Sequence, residues 1–450
     1  MSLVALPPAH FTAKQRAVLA VLLGAGFLLS IDFSILNVAL PQVGAGVGLD
    51  LTSLPWVSTA FVLPAAGFTL VCGRLADLVG RRRMFRCGMA LLIAASLLGG
   101  VATNPELLLT ARALQGFATA MTLPAALSLL TTTFAEGTAR DRVLGLNGAL
   151  LSGGFTVGAL VGGGLVSLLG WRAAFFMNVP VAAAILIATP FLITESTVTG
   201  RARPDLPGAL TVSGGLLALV YAVIDQSLPA AVAGVLLLAA FRLIEHRSPA
   251  PLVPPRILAR RTVKWGNFAG LVLFAMEPAV IFLTTLYLQR ILGLSPWATG
   301  LVFGVPGLAS VAAGVLAGRA IGRFGSRVLL AAGLTVQALA TLPLVFLGPG
   351  RGSLAILLPA LFIGFFGHVA AIVAYTVTAT SGLPDEEQGL ATGLTSMTQQ
   401  IGITVGIPVL SAVAATQTVE LTGIHLALGV AVVVTLASVA LIATKLKESR

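Results

Sequence analysis

Of the 450 residues only 10% are charged and 57% are hydrophobic, where a soluble domain carries about 25% charge. That excludes a water-soluble enzyme, and so apolar a chain is equally excluded from disorder. Four His and two Cys (Cys72 and Cys87) supply neither a disulfide framework nor a metal-ligand set, so no metal and no cofactor is expected. The net charge of +11 reads as the cationic excess of cytoplasmic loops, with a lipid bilayer as partner and no nucleic acid.

One membrane helix needs about 20 mostly apolar residues. In chain order such stretches fall at 17–40, 54–72, 85–102, 107–133, 143–169 and 174–193, then at 206–224 and 228–243. Six more follow at 266–289, 297–318, 327–348, 353–380, 389–415 and 424–444. The expectation is an all-α polytopic membrane protein with 14 transmembrane helices. The pair at 206–224 and 228–243 is short, and Pro229 opens its second member; a re-entrant hairpin there leaves twelve spans and the same orientation elsewhere. The first segment is too long for the apolar region of a signal peptide and is expected to stay in the mature chain.

Cations orient these spans. With the N-terminus inside, 23 of the 27 Lys and Arg fall in cytoplasmic segments, Arg172, Arg290 and Arg351 fall outside, and Arg112 lies within a helix. Both termini are therefore expected in the cytoplasm. Arg outnumbers Lys and Ala and Gly abound, a composition suggesting a GC-rich bacterial source and hence the inner membrane.

The chain also repeats itself in parallel. Pro55-Trp56 returns as Pro296-Trp297, Pro64 as Pro306, and GRLADLVGRRR (73–83) as GRAIGRFGSRV (318–328). The stretch from Gly145 matches that from Gly389, pairing Gly158 with Gly402 and Gly162 with Gly406. Offsets of 241–245 throughout imply two like-oriented six-helix bundles, at 1–193 and 266–450. Two inserted helices at 206–245 and a basic cytoplasmic loop at 246–265 lie between them. Transporters built from such halves hold substrate at the midplane and alternate access by rocking.

Within the spans the charged inventory is Asp32, Arg112 and Glu277. A charge near a helix centre costs roughly 2.5–3.5 kcal/mol by insertion scales, so each requires a partner, a cavity or a task. Asp32 is a candidate for loading a proton from outside and releasing it inside; the alternatives are a static ion pair with Arg112 and a carboxyl that stays neutral. Arg112, Gln115, Gly116 and Thr119 share one helix face, a polar stripe expected to line a water-filled cavity or to glue the bundle. Glu277, followed by Pro278, is either a second titratable site or counter-charge, or a neutral carboxyl bonded to a neighbouring helix. His368 is a weaker cavity-lining candidate. Gly154, Gly158 and Gly162 recur every four residues and permit close helix approach, at a mobile joint between halves or at a static interface.

Several of these stretches carry a resemblance. GRLADLVGRRR (73–83) resembles the loop that is the hallmark of the major facilitator superfamily. DFSILNVALP (32–41), RALQGFATA (112–120), GFTVGALVGG (154–163) and WRAAFFMNVPV (171–181) resemble motifs of its fourteen-helix drug:proton antiporters. The resemblance implies the major facilitator fold, two six-helix bundles plus two inserted helices. It implies that Gly73 and Gly80 allow a tight turn, with Asp77 and Arg81 forming a cytoplasmic gate. It implies too that Arg112 assists proton movement, that Asp32 binds proton or substrate, and that Gly154, Gly158, Gly162 and Gly163 form the antiporter motif. Ala159 stands where the motif usually has Pro, and Gly322 replaces the gate carboxylate in the second-half loop. Asp385, Glu386 and Glu387 are expected to offer anions to Arg81–Arg83.

The sequence thus leads to a monomeric proton-coupled efflux antiporter for an amphipathic or cationic small molecule. Alternatives are a proton-linked or facilitated carrier of one metabolite or natural product, and a membrane-embedded enzyme. The last would need a nucleophile–base or metal constellation, which so few His and Cys disfavour.

Overall fold

A computed structural model describes residues 11–50, 53–134, 138–195, 205–248, 251, 257, 259–381 and 385–446. Among them the chain is helical almost throughout. Helices α1 (Ala13–Val47), α2 (Trp56–Val79), α3 (Arg81–Gly100), α4 (Pro105–Thr133) and α5 (Thr138–Leu169) come first. The short α6 (Arg172–Phe176) and α7 (Asn178–Leu192) together form the sixth rod. Then come α8 (Leu206–Ile224), α9 (Leu228–Arg247), α10 (Arg261–Leu286), α11 (Pro296–Phe324) and α12 (Ser326–Thr341). The chain closes with α13 (Leu354–Thr380), α14 (Asp385–Ala415) and α15 (Glu420–Lys445). Eleven of the described helical stretches are long and apolar enough to cross a membrane, and shorter apolar stretches lie in α2, α5 and α8.

Local chemistry sets the ends. Thr12 and Gln15 form a capping box at α1, while Asn104 and Ser295 cap α4 and α11 immediately before Pro105 and Pro296. Those prolines lack an N–H where a helix leaves one orphaned anyway. Gly80 joins α2 to α3 at φ 116° and Gly325 joins α11 to α12 at φ 81°, a backbone region that Cβ-bearing residues avoid. These two glycines are 245 residues apart, so the duplicated loops share their turn.

Packing follows the duplication. In the first half α1 lies along α5 and α2 along α4; in the second, α10 lies along α14 and α11 along α13. Two seams join the halves, α5 against α11 and α2 against α14. The inserted α8 reaches both sides of the second seam. Its Ser213 donates to the Gly67 carbonyl of α2 at 2.5 Å, and Val212 and Leu216 pack with Leu63 of α2 and with Met397, Ile401 and Val405 of α14.

One end of the bundle carries the start of α1 and the end of α15; at the opposite, far end the halves are clasped. Gln289 Nε2 donates to the Val38 carbonyl at 2.7 Å, and the Trp297 amide donates to Ser167 Oγ at 3.0 Å. Gly163 abuts Pro296, and Thr156 abuts Gly307. Toward the terminus-bearing end the seam parts, and Gly314, Gly318 and Gly322 of α11 have no neighbour within 4 Å of where a Cβ would stand. The solvent-accessible face of α1 records the same opening. Between Val18 and Leu40 every residue is buried except Ala20, Gly24, Phe27, Ser30 and Phe33, a single stripe at helical spacing. On α10 the matching stripe is Trp265, Phe268 and Leu271, after which residues 272–277 are buried. A cleft therefore runs from the terminus-bearing end to mid-depth, and on α1 it stops at Phe33.

Candidate functional site

The first-half centre is built around Asp32, which is 0% exposed. It is one residue from the cleft-facing Phe33, but a step of 100° turns its side chain toward α3, α4 and α7. Arg112 Nη1 donates to Asp32 Oδ2 at 3.2 Å, and Gln115 Nε2 donates to Oδ1 at 3.2 Å. Asn178 Nδ2 donates to the same Oδ1. Ser96 Oγ completes the ring by accepting from Gln115 and Asn178 at 3.0 and 3.3 Å. A buried carboxylate with a cation and two amide donors is fully solvated by protein, which is the condition for holding charge at that depth.

Arg112 has two further tasks. Its Nε donates to the Val57 carbonyl of α2 at 3.1 Å, and Nη1 also donates to Gln115 Oε1 at 2.7 Å. The guanidinium carbon sits 4.4 Å from the ring centroid of Phe61. Phe61 lies 5.9 Å from Phe33, which lies 6.4 Å from Phe155 of α5. Arg112 thus connects the buried carboxylate to the aromatic floor of the cleft. Thr119, one turn along α4, is buried and donates to the Gln115 carbonyl at 3.0 Å rather than joining the Asp32 ring.

The second-half centre occupies the equivalent place, for Glu277 stands 245 residues after Asp32. It is 3% exposed and accepts from Gln337 Nε2 of α12 at 2.8 Å. His368 Nδ1 lies 3.4 Å from Gln337 Oε1, and its ring packs between Phe274 and Phe365. Helix α10 is continuous through Pro278. The structure therefore joins Asp32 with Arg112 and Gln115, and joins Glu277 with His368 through Gln337, in two separate centres.

The glycines divide by face. Gly154, Gly158 and Gly162 pack on Phe27, Ser30, Ile31, Ser34 and Ile35 of α1, inside the first half. Gly163 turns the other way, onto Pro296 and Trp297 of α11. Of the two roles set out for the Gly154–Gly162 stripe, the geometry is that of the α1–α5 interface; the joint between halves is made one step round the helix by Thr156, Ala159, Leu160 and Gly163. Gly300 backs directly onto the Ala159 carbonyl, so a small residue is what fits there.

At the loop between α2 and α3, Gly73 lies within α2 against Pro124, while Gly80 makes the turn. The side chains of Asp77, Asp385, Glu386 and Glu387 lie outside the described residues. Arg82 and Arg83 meet Glu195, just past α7: their backbone amides donate to its carboxylate at 2.9 and 3.2 Å, and their Nε atoms lie 3.7 and 3.8 Å from it. A carboxylate at a helix N-terminus satisfies orphan amides and the helix dipole together. Asn178, Ser96, Gln337 and Glu195 were not singled out from sequence. Asn178 lies within the quoted WRAAFFMNVPV stretch, and an amide in an apolar helix was the available signal for it and for Gln337; Ser96 carried none.

The model of the family described as Major Facilitator Superfamily matches residues 22–407. The Puromycin resistance protein pur8 of Streptomyces alboniger is 38% identical over 409 residues, covering 88% of this chain and 81% of that protein. The Cephamycin export protein CmcT of Amycolatopsis lactamdurans is 37% identical, covering 89% and 85%. Among solved structures, a POT family transporter in complex with a thioalcohol-conjugated peptide superposes with a TM-score of 0.73 at 13% identity, covering 95% of this chain and 96% of that one. That last likeness is one of fold.

Proposed function

The chain belongs to the Major Facilitator Superfamily, and from that premise we propose that it is a proton-coupled exporter of amphipathic or cationic small molecules of the antibiotic class. The observation that carries the reading is the sealed Asp32–Arg112 pair directly behind the floor of a cleft open at one end. Relatives named for puromycin resistance, cephamycin export and multidrug resistance support the export of drug-like molecules. The excess of cations in the loops on the terminus-bearing side supports a cytoplasmic location for both termini, in a bacterial inner membrane. In that orientation the cleft faces the cytoplasm.

In this reading the bundles at 1–193 and 266–450, the inserted pair at 206–245 and the loop at 246–265 make up fourteen spans of a protein that works as a monomer. In the cycle, substrate enters the cleft while Asp32 is ionised and paired. The halves then rock about the α5–α11 and α2–α14 seams until the cleft opens at the far end. A proton taken up there by Asp32, with Glu277 as a second carrier, lowers the hold on substrate. Rocking back releases the proton inside. Arg112 orients and compensates the Asp32 carboxylate; Gln115, Thr119 and His368 set the surrounding polar lining. Gly73, Asp77, Gly80 and Arg81 form the cytoplasmic gate, and the small residues of α5, Gly154 to Gly163, keep the helices close as they move.

A second reading, carriage of one natural product, is favoured by the relative named for cephamycin export. Purified protein in proteoliposomes with a trapped pH indicator tests the proposal. Puromycin added on the cytoplasmic-facing side should drive proton movement in the opposite direction. Substrate flux with no accompanying proton movement would leave a facilitator.

A further inference from the structure

The resemblance implies that Asp32 binds proton or substrate, yet Asp32 is fully buried and has no surface on the cleft for a substrate to touch. What the cleft does offer at its floor is aromatic. Phe33 is the one residue between Ile31 and Leu40 that is not buried, and Phe155, also half-buried, stands beside it. Behind them Phe61 is buried and carries the Arg112 guanidinium against its ring, and the same guanidinium is paired with Asp32.

We propose that Phe33 and Phe155, backed by Phe61, form the binding platform for a planar aromatic cation, and that Asp32 controls its affinity without touching it, through the charge left on Arg112. The inference rests on the antiport reading and names the substrate class and the coupling route for the same site. With Asp32 ionised the pair beneath the platform is neutral overall, and an aromatic cation stacks on the ring faces with its charge favoured by their quadrupoles. With Asp32 protonated, Arg112 presents an uncompensated positive charge to the underside of the same platform. The other groups facing Asp32 cannot cancel it: α3 brings Ser96, α7 Asn178, and α4, besides Arg112, only Gln115. Two like charges some 8 Å apart in a medium of effective dielectric about 20 repel enough to weaken binding roughly tenfold to a hundredfold. An uncharged planar ligand feels no such penalty.

Equilibrium binding of ethidium and of uncharged pyrene to the purified full chain in nanodiscs, with no gradient imposed, tests this. Wild type should bind ethidium, losing tenfold or more of its affinity on acidification. Asp32→Asn, which removes the negative charge as protonation does, should show the weakened affinity at every pH. The double variant Asp32→Asn/Arg112→Gln should recover ethidium affinity to within about threefold of wild type. Pyrene binding should be unmoved by these changes, whereas Phe33→Ala should weaken both ligands and Phe33→Trp restore them. Failure of the double variant to recover would place substrate on Asp32 directly and overturn the proposal. So would unaltered ethidium binding in Asp32→Asn or Phe33→Ala, or a wild type that does not take ethidium. These outcomes are independent of proton flux, so an absence of antiport would be recognised separately in proteoliposomes.

Discussion

Two carboxyl groups stand at equivalent points of a duplicated chain, and their surroundings differ. Asp32 meets a cation and two amides, with a hydroxyl beyond them; Glu277 meets one amide, with a histidine beyond it. The glycines around them, in contrast, match once the register slips by a turn: Gly154 and Gly402 press on the Phe27 and Leu271 carbonyls of α1 and α10, and Gly158 and Gly406 on those of Ile31 and Ala275. Duplication has therefore kept the packing of the halves and let their polar chemistry diverge. A carboxylate beside a guanidinium is held as half of an ion pair, whereas one bonded to an amide alone can sit neutral with little rearrangement. This contrast fits the proposed cycle, in which Asp32 is the coupling group and Glu277 a second proton carrier.

Breaking the ion pair should give the largest effect. Arg112→Ala leaves Asp32 buried without its cation, at a cost of about 3–5 kcal/mol, read as a lowered midpoint in thermal unfolding in detergent. Asp32→Asn/Arg112→Gln should regain much of that loss, and a double variant no more stable than Arg112→Ala would deny that charge imbalance is the cause. Next come the matched glycines. Gly158→Ile and Gly406→Ile each force a side chain into the backbone of α1 or α10 and should cost about 1–3 kcal/mol apiece. Gly318→Ala, with nothing near it, should cost nothing and gain up to about 1 kcal/mol of helix propensity; unequal effects at 158 and 406 would break the claim of shared packing.

Smaller effects sharpen the contrast. At the duplicated loops, Glu195 crowds Gly80, whereas Gly325 has nothing within 4 Å. Glu195→Ala should therefore cost about 1 kcal/mol, seen as faster amide exchange at Arg82 and Arg83 but not in the loop around Gly325. Smallest of all, Glu277→Gln should alter stability by less than about 1 kcal/mol, because an amide can accept the same bond from Gln337. Its measurable consequence should be a change in proton stoichiometry.

Much of the fold was legible because hydropathy is a local property. The stretches read at 107–133 and 206–224 became α4 and α8 at Pro105–Thr133 and Leu206–Ile224. The repeat offset, read from loops, placed Gly80 and Gly325 in equivalent turns. Partner choice was less legible, since it depends on how each helix is rotated about its axis. Sequence flagged Asp32 and Arg112 as costly charges and left their pairing as one of three possibilities. It gave no hint that Asp32 turns from the cleft while Phe33 faces it, because a one-residue step decides that. The Gly154–Gly162 stripe declared close packing without naming the packed helix, and α1 answers it. Arg82 and Arg83 were expected to meet acids of α14, and Glu195 supplies their carboxylate among the described residues.

Transport by the Asp32→Asn variant, measured two ways in one proteoliposome preparation, tests the central claim most directly. At saturating substrate, counterflow exchange of labelled for unlabelled substrate should persist, because the halves still rock and the platform is intact. Transport driven by an imposed pH gradient should be lost, because the group that couples proton to substrate is gone. Gradient-driven transport at wild-type rates in this variant would contradict the account and move coupling away from Asp32.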